Sequence, residues 1–183
     1  MSQYFHMLSL NPESQVKAEC HTSLGLLFNQ MNESKMAYYH LYQAIKDDEH
    51  CIMAYHHLGS LYLKEKKYKE ALKNFQKAID IDPDFVWPYA RIGFAYLELD
   101  RLDKAKKYFT QAIKLDSAEY WSHIGLSEIF RKKNKKEEQL IESQKALEIA
   151  PDDSDVRNYL GIAYEFNNQF EEAVGQYNKA LEL

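Results

Sequence analysis

The sequence predicts an all-α protein, a solenoid of tandem helix pairs, on three observations. The stretch KKYKEALKNFQKAIDIDPDF at 66–85 returns, shifted by 34 positions, as DRLDKAKKYFTQAIKLDSAE at 100–119, and self-similarity at a fixed period marks stacked supersecondary units. Within each copy the apolar residues follow helical spacing twice, with polar residues at the break. Only six glycines and four prolines punctuate the 183 residues, too few for the many turns of a β-sandwich and enough for helices joined by short loops.

Five copies fall in one register: 18–51, 52–85, 86–119, 120–153 and 154–183. Residues 1–17 read as a partial preceding unit or an N-terminal helix, because YFHMLSLNP at 4–12 is patterned like a second helix. The second copy is the clearest. Tyr55, Leu58, Gly59 and Tyr62 share one face of its first helix, KEKK at 64–67 marks the turn, and Ala71, Phe75 and Ala78 share one face of its second. Pro83 ends that helix for want of an amide hydrogen, and Asp84 is expected to cap the next.

Glycine inside a helix costs about 1 kcal/mol relative to alanine, so Gly25, Gly59, Gly93 and Gly161 at one phase require a close helix crossing. Ala37, Ala71, Ala105 and Ala173 are the expected facing residues, with Phe28, Tyr62, Tyr96, Phe130 and Tyr164 filling space one turn on. The fourth copy departs most, carrying Ser127, Gln139 and Ser143 at the glycine, alanine and aromatic positions. It is expected to be the least tightly packed. At the end of the fifth copy nothing follows to cover Ala173, Val174, Tyr177 and Leu181. The expectation is a piece cut from a longer array, or faces that pair with another copy.

This pattern resembles the tetratricopeptide repeat across residues 18–183. The family's alanine near the end of the second helix stands as Ala44, Ala78, Ala112, Ala146 and Ala180, while its closing proline survives only as Pro83 and Pro151. The resemblance implies a right-handed α-solenoid whose first helices line a concave groove. Carried over position by position, the groove comprises Thr22, Ser23, Asn29, His56, His57, Ser60 and Lys64, then Trp87, Arg91, Phe94 and Glu98. It continues through Trp121, Glu128, Arg131, Lys132, Asn158, Tyr159, Glu165 and Phe166. Aromatics beside arginine are the composition of binding hot spots, which favours Trp87, Arg91, Phe94 and Trp121; the two tryptophans open their helices and have a second reading as covers for the preceding junction. His56 and His57 are read as groove histidines that titrate near neutrality.

Two subtypes of the family are disfavoured. The fifth-position residues Thr22, His56, Ala90, Ile124 and Asn158 include no lysine for a carboxylate clamp, which leaves Arg91 an isolated match. The sixth-position series Ser23, His57, Arg91, Gly125 and Tyr159 is no asparagine ladder.

Composition narrows the function classes. Lys plus Arg is 23 against 28 Asp plus Glu, a net charge of −5, which argues against nucleic-acid and anionic-membrane partners. The sequence contains no phosphate-binding glycine loop, nucleophile elbow, H-E-x-x-H or C-x-x-C, so no enzyme and no cofactor are expected. Cys20 with His21, and His50 with Cys51, offer one convergent donor per pair, short of a metal site. The basic run RKKNKK at 131–136 falls at a helix end and turn, where solvated charge is ordinary. With no membrane helix or signal peptide in the sequence, the expectation is a cytoplasmic, non-catalytic module that binds a partner's peptide segment. The alternatives are an assembly scaffold that self-associates through its ends or convex face, and the regulatory part of a larger enzyme.

Overall fold

The structure, a computed structural model, describes residues 2–10 and 13–183; Asn11 and Pro12 of the N-terminal stretch lie outside the described residues. Eleven helices, and no strand, occur among them: α1 (Ser2–Ser9), α2 (Ser14–Gln30), α3 (Ser34–Asp47), α4 (Ile52–Lys64), α5 (Tyr68–Ile81), α6 (Trp87–Glu98), α7 (Leu102–Leu115), α8 (Tyr120–Lys132), α9 (Lys136–Ile149), α10 (Ser154–Phe166) and α11 (Phe170–Leu181). The chain is therefore all-α, as its periodicity predicts. It divides into two compact units, Met1–Arg91 and Ile92–Leu183, with the boundary inside α6.

Each first helix turns into its partner through the same device. Asn32, Lys66, Asp100, Asn134 and Asn168, 34 positions apart, all have φ between 54° and 61°, the left-handed region that asparagine and aspartate tolerate best among non-glycine residues. The next residue's N–H then reaches back five positions to the carbonyl of Phe28, Tyr62, Tyr96, Phe130 or Tyr164, at 2.8–2.9 Å, closing the helix C-terminus in a Schellman-type bond. The large half-buried side chain and the turn hydrogen bond thus come from one residue.

Gly59, Gly93 and Gly161 are explained by rings more than by the facing alanines, and Gly25 by the Leu41 side chain. A Cβ added at Gly59 would sit 2.6 Å from two ring carbons of Phe75, and at Gly93 2.5 Å from the Phe109 ring, which Gly125 approaches from α8. The partner is the large residue 16 positions on; Ala37, Ala71, Ala105 and Ala173 are buried nearby at 0–3% exposure. At Gly59 and Gly93 glycine lets a fully buried ring lie against a helix backbone.

The fourth pair replaces this contact with another. Ser127 and Ser143 stand at the glycine and ring positions with their hydroxyls 2.7 Å apart and buried. Gln139 takes the alanine position at 0% exposure, and neither amide atom has a partner among the described residues. The pair closes around polar groups instead of exposing them.

One local expectation is corrected. Asp84 caps no helix: α5 ends at Ile81, α6 opens at Trp87, and the Asp84 N–H donates to Asp82 Oδ1 at 3.0 Å. Asp48 and Asp116 accept in the same way from the residue two positions on, so the aspartate before the turn organises it. The helix α2 begins at Ser14 and packs with α1 and α3.

Candidate functional site

In the first unit α2 and α4 enclose a recess of about 440 Å³. Its apolar lining comes from Ala18, Leu26, Ile52 and Met53, and its polar lining includes Thr22, Ser23, Cys51 and His57. The Cys51 Sγ lies 3.4 Å from Thr22 Oγ1, whereas Cys20 is buried at 3% exposure. Glu19 and Asp48 stand in the lining, which contains no lysine or arginine.

Beside the recess the predicted groove residues of this unit separate into buried and free. Thr22 and His56, expected in the groove, are buried at 8% and 7% exposure. Of the other fifth-position residues Ala90 and Ile124 are buried as well, while Asn158 is exposed; the Thr22 hydroxyl donates to the Ala18 carbonyl at 2.8 Å. The His56 ring lies 5.7–5.9 Å from Phe75, Phe85 and Trp87. Burial, then His57, then the Arg91 cation hold its imidazole down at about 3. For His56 the expectation of a near-neutral titration does not hold; His57 is half-buried and burial lowers it too. Ser60 is turned back, its hydroxyl donating to the His56 carbonyl at 3.0 Å, and the exposed Lys64 donates to Asn32 Oδ1 at 3.1 Å. Trp87 remains 54% exposed and Arg91 is exposed, with no carboxylate in ion-pair distance of Arg91 among the described residues.

In the second unit the predicted anchors are largely engaged. Phe94 meets Phe109 edge-on at 4.9 Å and Trp121 at 6.5 Å, and packs on the cluster around Phe109 and Ile129. Trp121 lies against Tyr120 and, with Tyr159, packs on Ile124, Ala146 and Val156. Glu128 accepts a two-pronged contact from Arg131, with Nη2 donating to Oε2 at 2.7 Å. Glu98 and Asn158 are exposed, Glu165 accepts from the Tyr177 hydroxyl at 3.0 Å, and Lys136 sits over the Phe166 ring. The basic run is neutralised locally, with Lys132 on Asp100, Lys133 on Asp103 and Lys135 on Glu138 at 2.7–2.9 Å.

Several of these residues carry little signal in the sequence. Glu19 and Met53 occupy the second position of their copies and Leu26 a ninth position, the same phases that single out Trp87 and Phe94, but neither a carboxylate nor an aliphatic side chain stands out alone. Asp48, His50 and Cys51 reach the recess from the inter-helix loop, which helical phase does not address. His40 is a further residue that phase does not reveal: it is buried, 2.8 Å from His21 through their Nδ1 atoms. Among the described residues no three His, Cys, Asp or Glu side chains gather as metal donors, and no helix is long and apolar enough to cross a membrane.

Family models describe three segments: a TPR repeat at residues 59–100 and a tetratricopeptide repeat at 88–119 and again at 143–182. The chain is a tetratricopeptide-repeat protein. Solved tetratricopeptide-repeat structures agree. TTC0263, a thermophilic protein of Thermus thermophilus, superposes with a TM-score of 0.81 at 20% identity over 90% of each chain. YrrB, described as having an unusual peptide-binding site, gives 0.65 at 21% identity over 98% of this chain and 91% of its own. The APC/C hetero-tetramer Cut9–Hcn1 gives 0.83 at 17% identity, with 90% of this chain covering 33% of that one. At these identities the likeness establishes the fold. No curated protein sequence matches the chain.

Proposed function

We propose that this tetratricopeptide-repeat protein is a non-catalytic interaction module that holds an extended segment of a partner protein against the first helices of its pairs. The observation that carries the proposal is the first unit's surface. There an open apolar recess between α2 and α4 is accompanied by a half-exposed Trp87 and an Arg91 without a carboxylate partner. A preformed helical surface loses little entropy on binding, an exposed tryptophan supplies apolar contact area, and a free guanidinium takes a carboxylate or carbonyl in a two-pronged bond. That YrrB has a peptide-binding site on the same fold supports the reading.

The test compares wild type with Trp87→Ala/Arg91→Ala as baits, after circular dichroism confirms equal helix content. Phe94 is left intact because it props the Phe109 ring. A partner recovered by wild type and lost with the variant is the expected result. Equal recovery by both would remove these residues from the function and favour the scaffold alternative.

A further inference from the structure

Resting on that reading, we infer that the recess between α2 and α4 takes an apolar side chain of the partner flanked by lysine or arginine. Its walls supply the first half of this specificity. Leu26 and Met53 are each 36% exposed in the opening, large apolar surface that water covers poorly and that a leucine-sized group would bury. The rim supplies the second half. Glu19 is exposed, Asp48 is half-buried, and neither has a cation within ion-pair distance among the described residues; Asp48 Oδ1 accepts only the His50 N–H at 2.9 Å. The remaining nitrogen-bearing side chains of the lining are Gln15, His50 and His57, and burial lowers the His57 imidazole. A recess with two carboxylates and no lysine or arginine attracts a cationic segment and repels an acidic one.

Cys51 makes the inference measurable, since its thiol lines the recess while Cys20 is buried. The full chain at pH 8 is treated with iodoacetamide in the presence of blocked hexapeptides Gly-Lys-Leu-Leu-Lys-Gly, Gly-Glu-Leu-Leu-Glu-Gly or Gly-Lys-Ser-Ser-Lys-Gly, and Cys51 alkylation is followed by peptide mass spectrometry. The Lys-Leu peptide is expected to protect Cys51 at a concentration roughly fivefold lower than the Glu-Leu peptide, the scale of two partly exposed charge pairs, and the Lys-Ser peptide is expected not to protect. Glu19→Gln/Asp48→Asn should bring the two leucine peptides within about twofold, and the introduced amide oxygen keeps the capacity to accept the His50 N–H. Protection by the Glu-Leu peptide equal to or better than that by Lys-Leu would overturn the assignment of ligand class and leave the peptide-binding reading standing. Protection by none of the three at millimolar concentration, alongside a partner that is lost with Trp87→Ala/Arg91→Ala, would overturn the recess as a subsite without touching the proposed function.

Discussion

Alanine at Gly59 and alanine at Gly175 are expected to act in opposite directions, although both positions are interior to a helix and both changes add one methyl group. At Gly59 the new Cβ would lie 2.6 Å from Cδ1 and Cε1 of Phe75 and 2.9 Å from Cζ. Carbon atoms rest at about 3.5–4.0 Å, so the ring must retreat by about 1 Å. Phe75 is 0% exposed, enclosed on every side. Overpacking a filled core costs about 1–3 kcal/mol, and with two ring atoms in collision the upper end applies. Against this stands the gain of about 1 kcal/mol for replacing a helical glycine by alanine, which leaves a net loss of about 2 kcal/mol. At Gly175 no atom lies within 4 Å of the added Cβ, so only the gain remains. Because helical repeats open locally, native-state hydrogen exchange is the appropriate assay. Protection of α4 and α5 amides should fall about 30-fold in Gly59→Ala, while protection in α11 should rise about fivefold in Gly175→Ala. A Gly59→Ala protein as protected as wild type would refute the ring-on-backbone explanation of the repeated glycine.

Two further outcomes follow from local features. Lys66 is the one left-handed residue of the five turns that is neither asparagine nor aspartate, and removing its Cβ strain by Lys66→Gly should stabilise the protein by about 1 kcal/mol in urea unfolding; an unchanged or lowered midpoint would count against strain at that turn. The buried His56 is held at about 3, below its ordinary value, so the folded protein keeps it neutral while the unfolded chain binds the proton first. Its stabilising contribution is complete above about pH 6.5 and is lost as pH falls from there toward 3, at about 1.4 kcal/mol per pH unit. Between pH 6.5 and 5, His56→Phe should flatten the stability profile, and a profile as steep as wild type would refute the assignment.

Much of this architecture is written in residue types at fixed intervals. Apolar spacing and glycine and proline placement locate the helices, because a helix that buries one face must repeat its apolar residues at 3.6-residue intervals whatever its neighbours are. Four of the five turns are legible too, in the recurring Asn32, Asp100, Asn134 and Asn168, a signal that lies outside the apolar pattern. The candidate site is legible only in part. Arg91 and Trp87 are exposed beside the predicted surface, but Phe94 and Trp121, equally conspicuous in sequence, are engaged with Phe109 and the Ile124 cluster.

Position within a repeat determined which helix and which general direction a side chain takes. Whether that direction ends in solvent or against a neighbouring ring was decided by tertiary packing alone: the fifth-position His56 and Thr22 are buried, Trp87 is half-exposed, and the loop residues Asp48 and Cys51 complete a recess. The reason is physical. Helical phase is a property of a dozen consecutive residues, whereas burial depends on the volume and shape of side chains brought from other helices, here most visibly the rings that occupy the space beside Gly59 and Gly93.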